Sequence, residues 1–120
     1  MSDAYTSYVG RLLMVTKKKG SVCPLFHRAV ELIGKRWTGA ILRVLLDGPA
    51  RFGEIQERVP DLSDRLLSER LKELEDAGIV TRDVGEGRPV CVTYSLTKRG
   101  QALKPVLDEL GAWAETWLAK

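Results

Sequence analysis

Apolar positions between residues 52 and 74 follow the period of a helix, and those between 79 and 96 the period of a strand. Phe52, Ile55 and Val59 fall on one side of a predicted helix that Pro60 ends. Ser63 suits an N-cap, and Asp64 stands in the first turn, where the helix dipole favours a carboxylate. Leu66, Leu67, Leu71 and Leu74 then cluster within about 140° on a helical wheel. Arg65, Ser68, Glu69 and Lys72 lie opposite them. Gly78 is placed to end this second helix. Ile79–Val84 and Val90–Leu96 read as strands, and in the second Val90, Val92, Tyr94 and Leu96 alternate with Cys91, Thr93 and Ser95. Gly85-Glu86-Gly87-Arg88-Pro89 forms the hairpin tip between them.

Helix, tight turn, helix and hairpin in this order predict a winged helix-turn-helix: mainly α, with a small antiparallel β-hairpin wing. A short exposed helix fits the major groove of B-DNA, and the adjacent hairpin can follow the phosphates. Upstream, residues 5–15 are expected to hold a short helix on Val9, Leu12 and Leu13. Pro24 starts another, in which Phe26, Ala29, Val30 and Ile33 form a stripe closed by Gly34. Trp37, Ile41, Leu42 and Leu45 form a further stripe, stopped by Asp47-Gly48-Pro49. Downstream, Thr97 can cap a last helix carrying Leu103, Val106, Leu107, Leu110, Trp113, Trp117 and Leu118, with a kink or restart at Pro105. Residues 23–100 already supply a core, so this wide stripe is expected to pair with a second copy. The predicted organisation is an arm over 1–22, a DNA-binding domain over 23–100, and a dimerisation helix over 101–120.

Composition narrows the function only slightly. With 120 residues, one domain is expected. The net charge of +3 is weak evidence for a nucleic-acid partner, and its distribution matters more. Residues 1–50 carry eight Lys/Arg against three Asp/Glu, whereas residues 51–100 carry nine against ten. DNA contact must therefore come from individually placed cations. Lys17, Lys18 and Lys19 form the one basic run, a solvated tail or a phosphate-contacting arm. No apolar run reaches membrane-spanning length, and the lysines follow the N-terminal apolar patch, the reverse of a secretory signal; a cytoplasmic location is expected. Cys23, Cys91 and His27 do not make a zinc site, and neither metal nor cofactor is expected.

Several short stretches together resemble the HxlR family of bacterial winged-helix regulators, relatives of the MarR group. They are Cys23-Pro24, Ile33-Gly34-Lys35-Arg36-Trp37, Arg51-Phe52-Gly53-Glu54-Ile55, Leu67 to Leu74 (LSERLKEL), Gly78 to Arg82 (GIVTR) and Tyr94 to Thr97 (YSLT). The resemblance covers about residues 22–118. It implies a homodimer built from N- and C-terminal helices, with two recognition helices reading a pseudo-palindromic operator in double-stranded DNA. Arg36 departs from a common family pattern of paired glycines before the Lys–Trp pair.

Arg65 is the leading candidate for a base contact, since an arginine early in a recognition helix can grip guanine O6 and N7. Its alternative is a solvent arginine paired with Glu69. Ser63, Ser68 and Lys72 suit phosphates better than bases. Glu69 could accept from cytosine N4 or orient an arginine. Arg51 at the first motif helix, Arg82 at the wing base and Arg88 at its tip are phosphate or minor-groove candidates; Lys35 and Arg36 are weaker ones. Arg70 falls among the leucines on the wheel, so its stem should cover core edge while its guanidinium meets Glu57 or Asp76.

Cys23 stands at or near a helix N-cap, where the dipole favours a thiolate and Arg28 or His27 could add to it. The resemblance strengthens a sensor role toward oxidants, quinones or aldehydes, because the matching cysteine serves so in several members. A small buried residue is the alternative. Cys91 reads as passive. A regulator switched by a small ligand in an aromatic pocket of the dimer interface (Trp37, Phe26, Trp113) is a rival. So is a winged-helix protein-interaction module, although Arg65, Lys72 and Arg88 argue against it. An enzyme using Cys23 and His27 lacks an orienting group.

Overall fold

The computed structural model describes residues 23–119. The expected arm and short helix over residues 1–22, with Lys17–Lys19, lie outside the described residues. The chain divides between Lys35 and Arg36 into two units.

The described part of the first unit is one helix, α1 (Pro24–Ile33), with Pro24 in its first turn and Cys23 as N-cap. Gly34 caps its C-terminus, its N–H donating to the Val30 carbonyl. A Cβ at Gly34 would stand 2.5 Å from that oxygen, which accounts for glycine there. The predicted stripe is helical but no residue of α1 is buried, and Leu25, Phe26 and Val30 are largely exposed. Periodicity marks an apolar face without supplying the surface that covers it.

The second unit opens at Trp37, which adopts a left-handed conformation (φ 76°) as N-cap of α2 (Thr38–Leu46). Arg70 holds this turn by donating from Nε to the Arg36 carbonyl at 3.1 Å, and its Nη1 donates to both Glu73 carboxylate oxygens. Arg70 is thus a packed, structural arginine, as expected, but its acid is Glu73, one turn along its own helix, rather than Glu57 or Asp76. The Asp76 carboxylate takes Lys72 instead.

α2 buries Thr38, Ile41, Leu42, Val44 and Leu45 and stops at the Asp47-Gly48-Pro49 turn. A two-residue strand follows, β1 (Ala50–Arg51). Sequence reading gave no strand here, because two residues are too few to show alternation. α3 (Phe52–Arg58) and α4 (Asp64–Asp76) then make the helix-turn-helix, with Ile55, Val59 and Leu62 buried across the turn. Glu54 accepts from the Arg51 N–H at 2.9 Å, closing the open end of α3.

α4 ends in a Schellman motif: Ile79 N–H donates to the Leu74 carbonyl and Gly78 N–H to that of Glu75, with Gly78 at φ 75°. β2 (Val80–Val84) and β3 (Val92–Leu96) form the wing, with Val80 opposite Leu96 and Val84 opposite Val92. β1 adds to the other edge of β3, giving a three-stranded antiparallel sheet of order β1-β3-β2 in place of the expected bare hairpin. β3 begins two residues later than expected, and Val90 is exposed in the tip.

Thr97 caps α5 (Lys98–Gln101), accepting from Gly100 N–H at 3.1 Å, while its hydroxyl donates to the Gly78 carbonyl at 2.6 Å. Arg99 donates to the Ala77 carbonyl at 2.8 Å, so α5 also satisfies the end of α4. The chain restarts as α6 (Lys104–Trp117), with Pro105 in the first turn as expected. Arg43 of α2 pairs with Asp108 of α6 at 2.9 Å, and Lys104 donates to the same carboxylate. The fully buried centre is Ile41, Leu42, Leu45, Ile55, Leu67, Leu71, Leu74 and Val80. Among the described residues no helix is long and apolar enough to cross a membrane.

Candidate nucleic-acid interface

α4 is held at both ends. Ser63 Oγ accepts from the Leu66 N–H at 3.2 Å, the predicted cap. Gln56 of α3 donates to the Asp64 carboxylate, tying the start of α4 to the preceding helix. Leu67, Leu71 and Leu74 anchor the inner side. Leu66, grouped with them on the wheel, is only half-buried: it sits at the flank of the stripe, where α4 turns toward solvent.

The outer face is polar. The Arg65 side chain is 91% exposed, and its Nε meets Glu69 Oε1 at 3.3 Å, the i,i+4 pair raised as its alternative role. Such an exposed pair is worth only about 0–1 kcal/mol, so a phosphate or a base can take Arg65 at little cost. Ser68 is exposed. Lys72 meets Asp76 at 3.1 Å. The hydrogen bond to Asp76, then its charge, raises the lysine above its usual range, so Lys72 stays cationic. Ser63, Arg65, Leu66 and Glu69 share one open depression of about 330 Å³.

Arg51, Arg82 and Arg88 are all exposed, the last two on the wing. The Arg51 N–H donates to the Glu54 carboxylate. The Arg36 guanidinium lies 5.2 Å from the Trp37 ring centroid, and its backbone carbonyl is occupied by Arg70. This ties Arg36 to the turn more than its sequence suggested. Lys35 is exposed at the end of the first unit. Arg51, Arg65, Lys72, Arg82 and Arg88 are exposed cations of the second unit. Missed from sequence were the Gln56–Asp64 tie and the Thr97–Arg99 seat under α4. Both join residues whose proximity only the fold creates.

Cys23 is 5% exposed, and both cysteines are free thiols. His27 Nε2 meets Glu31 at 3.3 Å, one turn further along α1. On α6, Leu103 and Leu107 are half-buried, whereas Val106, Leu110, Trp113, Trp117 and Leu118 stand exposed, Trp117 at 71%.

The family model described as HxlR-like helix-turn-helix matches residues 32–120. The chain belongs to this family. Among its relatives are two proteins of Bacillus subtilis (strain 168). The uncharacterized HTH-type transcriptional regulator YvaP is 49% identical over 100 residues, 83% of this chain and 93% of YvaP. The HTH-type transcriptional regulator YodB is 50% identical over 95 residues, 79% of this chain and 85% of YodB. The reduced form of YodB superposes with a TM-score of 0.74 at 49% identity, covering 81% of this chain and 95% of that one. Quinone-bound YodB gives 0.71 at 48% identity, covering 80% and 100%. HxlR-like family membership and a winged helix-turn-helix fold, both expected from the sequence, are thus established.

Proposed function

We propose that this chain is a dimeric, sequence-specific DNA-binding transcriptional regulator whose binding responds to thiol-reactive compounds through Cys23. The observation that carries the DNA reading is α4. It is a capped helix on a helix-turn-helix scaffold, with Arg65, Ser68, Glu69 and Lys72 outward and Leu67, Leu71 and Leu74 inward. Arg65 reads a base; Ser63, Ser68 and Lys72 contact or approach phosphates; Arg51, Arg82 and Arg88 hold the flanking backbone.

The exposed stripe of α6 supports dimerisation. Val106, Leu110, Trp113 and Trp117 recur at helical spacing on a helix with no buried residue. A contiguous apolar face of this kind is a typical association surface. Two-fold pairing presents two copies of α4 to two half-sites of a pseudo-palindromic operator about one helical turn apart.

A role for Cys23 is supported by its place as N-cap of α1 and by the relative YodB, studied in reduced and quinone-bound forms. The Cys23 sulfur adds to a quinone ring carbon, forming an S–C bond; the thiol proton and the proton displaced from that ring carbon end on the two ring oxygens, leaving a hydroquinone thioether. Added bulk at so buried a position displaces α1, which changes the spacing of the two α4 helices and weakens binding.

Binding of the full chain to an operator selected from random DNA, over a salt series, tests the reading. Arg65→Ala should cost about 1–3 kcal/mol at one base position. Arg88→Ala should weaken all sequences alike and flatten the salt dependence by about one counterion per contact. A quinone should release wild type and leave Cys23→Ser bound. Wild-type affinity and salt slope in both arginine variants would remove α4 and the wing from the interface.

A further inference from the structure

We propose that Leu66 is a specificity-determining residue, whose half-exposed side chain meets the C5-methyl group of a thymine in the major groove. The inference rests on the reading of α4 as the DNA-contacting helix and deepens it.

Leu66 differs from the other leucines of α4. Leu67, Leu71 and Leu74 fill the core, whereas Leu66 stays partly open to solvent. It lies in the first turn, the part of a recognition helix that reaches base edges. Its backbone is fixed there, because its N–H is held by Ser63 Oγ at 3.2 Å. It also shares one depression with Ser63, Arg65 and Glu69, and it is the single apolar side chain among those four. At about 100° per residue, Leu66 sits roughly 60° around the helix from Glu69 and 100° from Arg65. A base pair beside the one gripped by Arg65 therefore faces Leu66.

The chemistry this flank can recognise is narrow. Leu66 neither donates nor accepts a hydrogen bond, so it cannot read the polar edges of guanine, cytosine or adenine. Thymine alone offers the major groove an apolar group, its C5-methyl. The neighbouring Arg65–Glu69 pair makes the surround polar, so another base would set its polar edge against Leu66 without a partner. The combination predicts a half-site in which a thymine adjoins the base contacted by Arg65.

The test uses the full chain and the operator it selects from random DNA. Each thymine is replaced singly by deoxyuridine, which removes the methyl and keeps the hydrogen-bonding edge. One position per half-site should weaken wild-type binding about three- to fivefold, the worth of one buried methyl. That penalty should vanish in Leu66→Ala, which should itself bind the thymine operator more weakly. The wild-type scan needs no variant, so it stands even if Leu66→Ala folds poorly. No deoxyuridine effect at any position, or an effect that persists in Leu66→Ala, overturns the assignment while leaving α4 as the reader. Failure to select any preferred sequence overturns both.

Discussion

Gly100 should not tolerate even a methyl group. A Cβ there would stand 2.4 Å from the Ile79 carbonyl oxygen, 2.9 Å from Leu96 Cδ2 and 3.1 Å from Leu96 Cβ. The first contact is with backbone at the junction of α4 and β2, and the others with the end of β3, so little can give. Gly100 N–H also donates to Thr97 Oγ1, whose hydroxyl donates to the Gly78 carbonyl. Displacing α5 therefore strains the cap of α5 and the seat of α4 together. Overpacking of this kind costs about 1–3 kcal/mol. The lower chain entropy of unfolded alanine returns roughly 0.4–1 kcal/mol of it. Gly53→Ala is the control. It lies in α3 with nothing within 4 Å of the added Cβ, so only the entropic gain applies. In urea, with a slope of about 2 kcal/mol per M, the mid-values of these terms lower the Gly100→Ala midpoint by about 0.6 M, and Gly53→Ala should raise it slightly. Both are measured at one protein concentration, since self-association shifts the midpoint. A Gly100→Ala midpoint equal to or above wild type would refute the steric argument.

Two further outcomes follow from α6. Trp113→Ala should weaken self-association by roughly 2 kcal/mol or more, about thirtyfold, as read by sedimentation against concentration. An unchanged equilibrium would place the interface elsewhere. Asp108 is held below the usual carboxylate range, first by the hydrogen bond from Lys104 and then by that from Arg43. A carboxyl depressed on folding stabilises above its unfolded value and loses that contribution as pH falls through the folded one. Asp108→Asn should therefore be less stable than wild type at pH 7, with the difference closing in acid, and a gap that persists below both values would show another cause.

The helices were legible because their signals are local. The cap at Ser63, the stop at Gly78, the turn at Asp47-Gly48-Pro49 and the restart at Pro105 each depend on a few neighbouring residues, and the structure reproduces them. The family was legible because its short motifs are spread along the chain in order. Less legible was every feature set by residues distant in sequence. β1 exists because β3 offers an edge to Ala50 and Arg51. Arg70 reaches the Arg36 carbonyl because the turn at Trp37 passes its helix.

Sequence by itself determined the order of the helices and of the two wing strands, the leucine-rich inner side of α4 and the candidates Arg65, Lys72, Arg82 and Arg88, since period, capping and charge are written residue by residue. Tertiary structure alone decided exposure. It left Leu66 at the solvent edge while burying Leu67, and it left Phe26, Val30, Trp113 and Trp117 uncovered. A helical period states which side chains share a face. Whether that face is core, reading surface or interface depends on what packs against it, which no local pattern specifies.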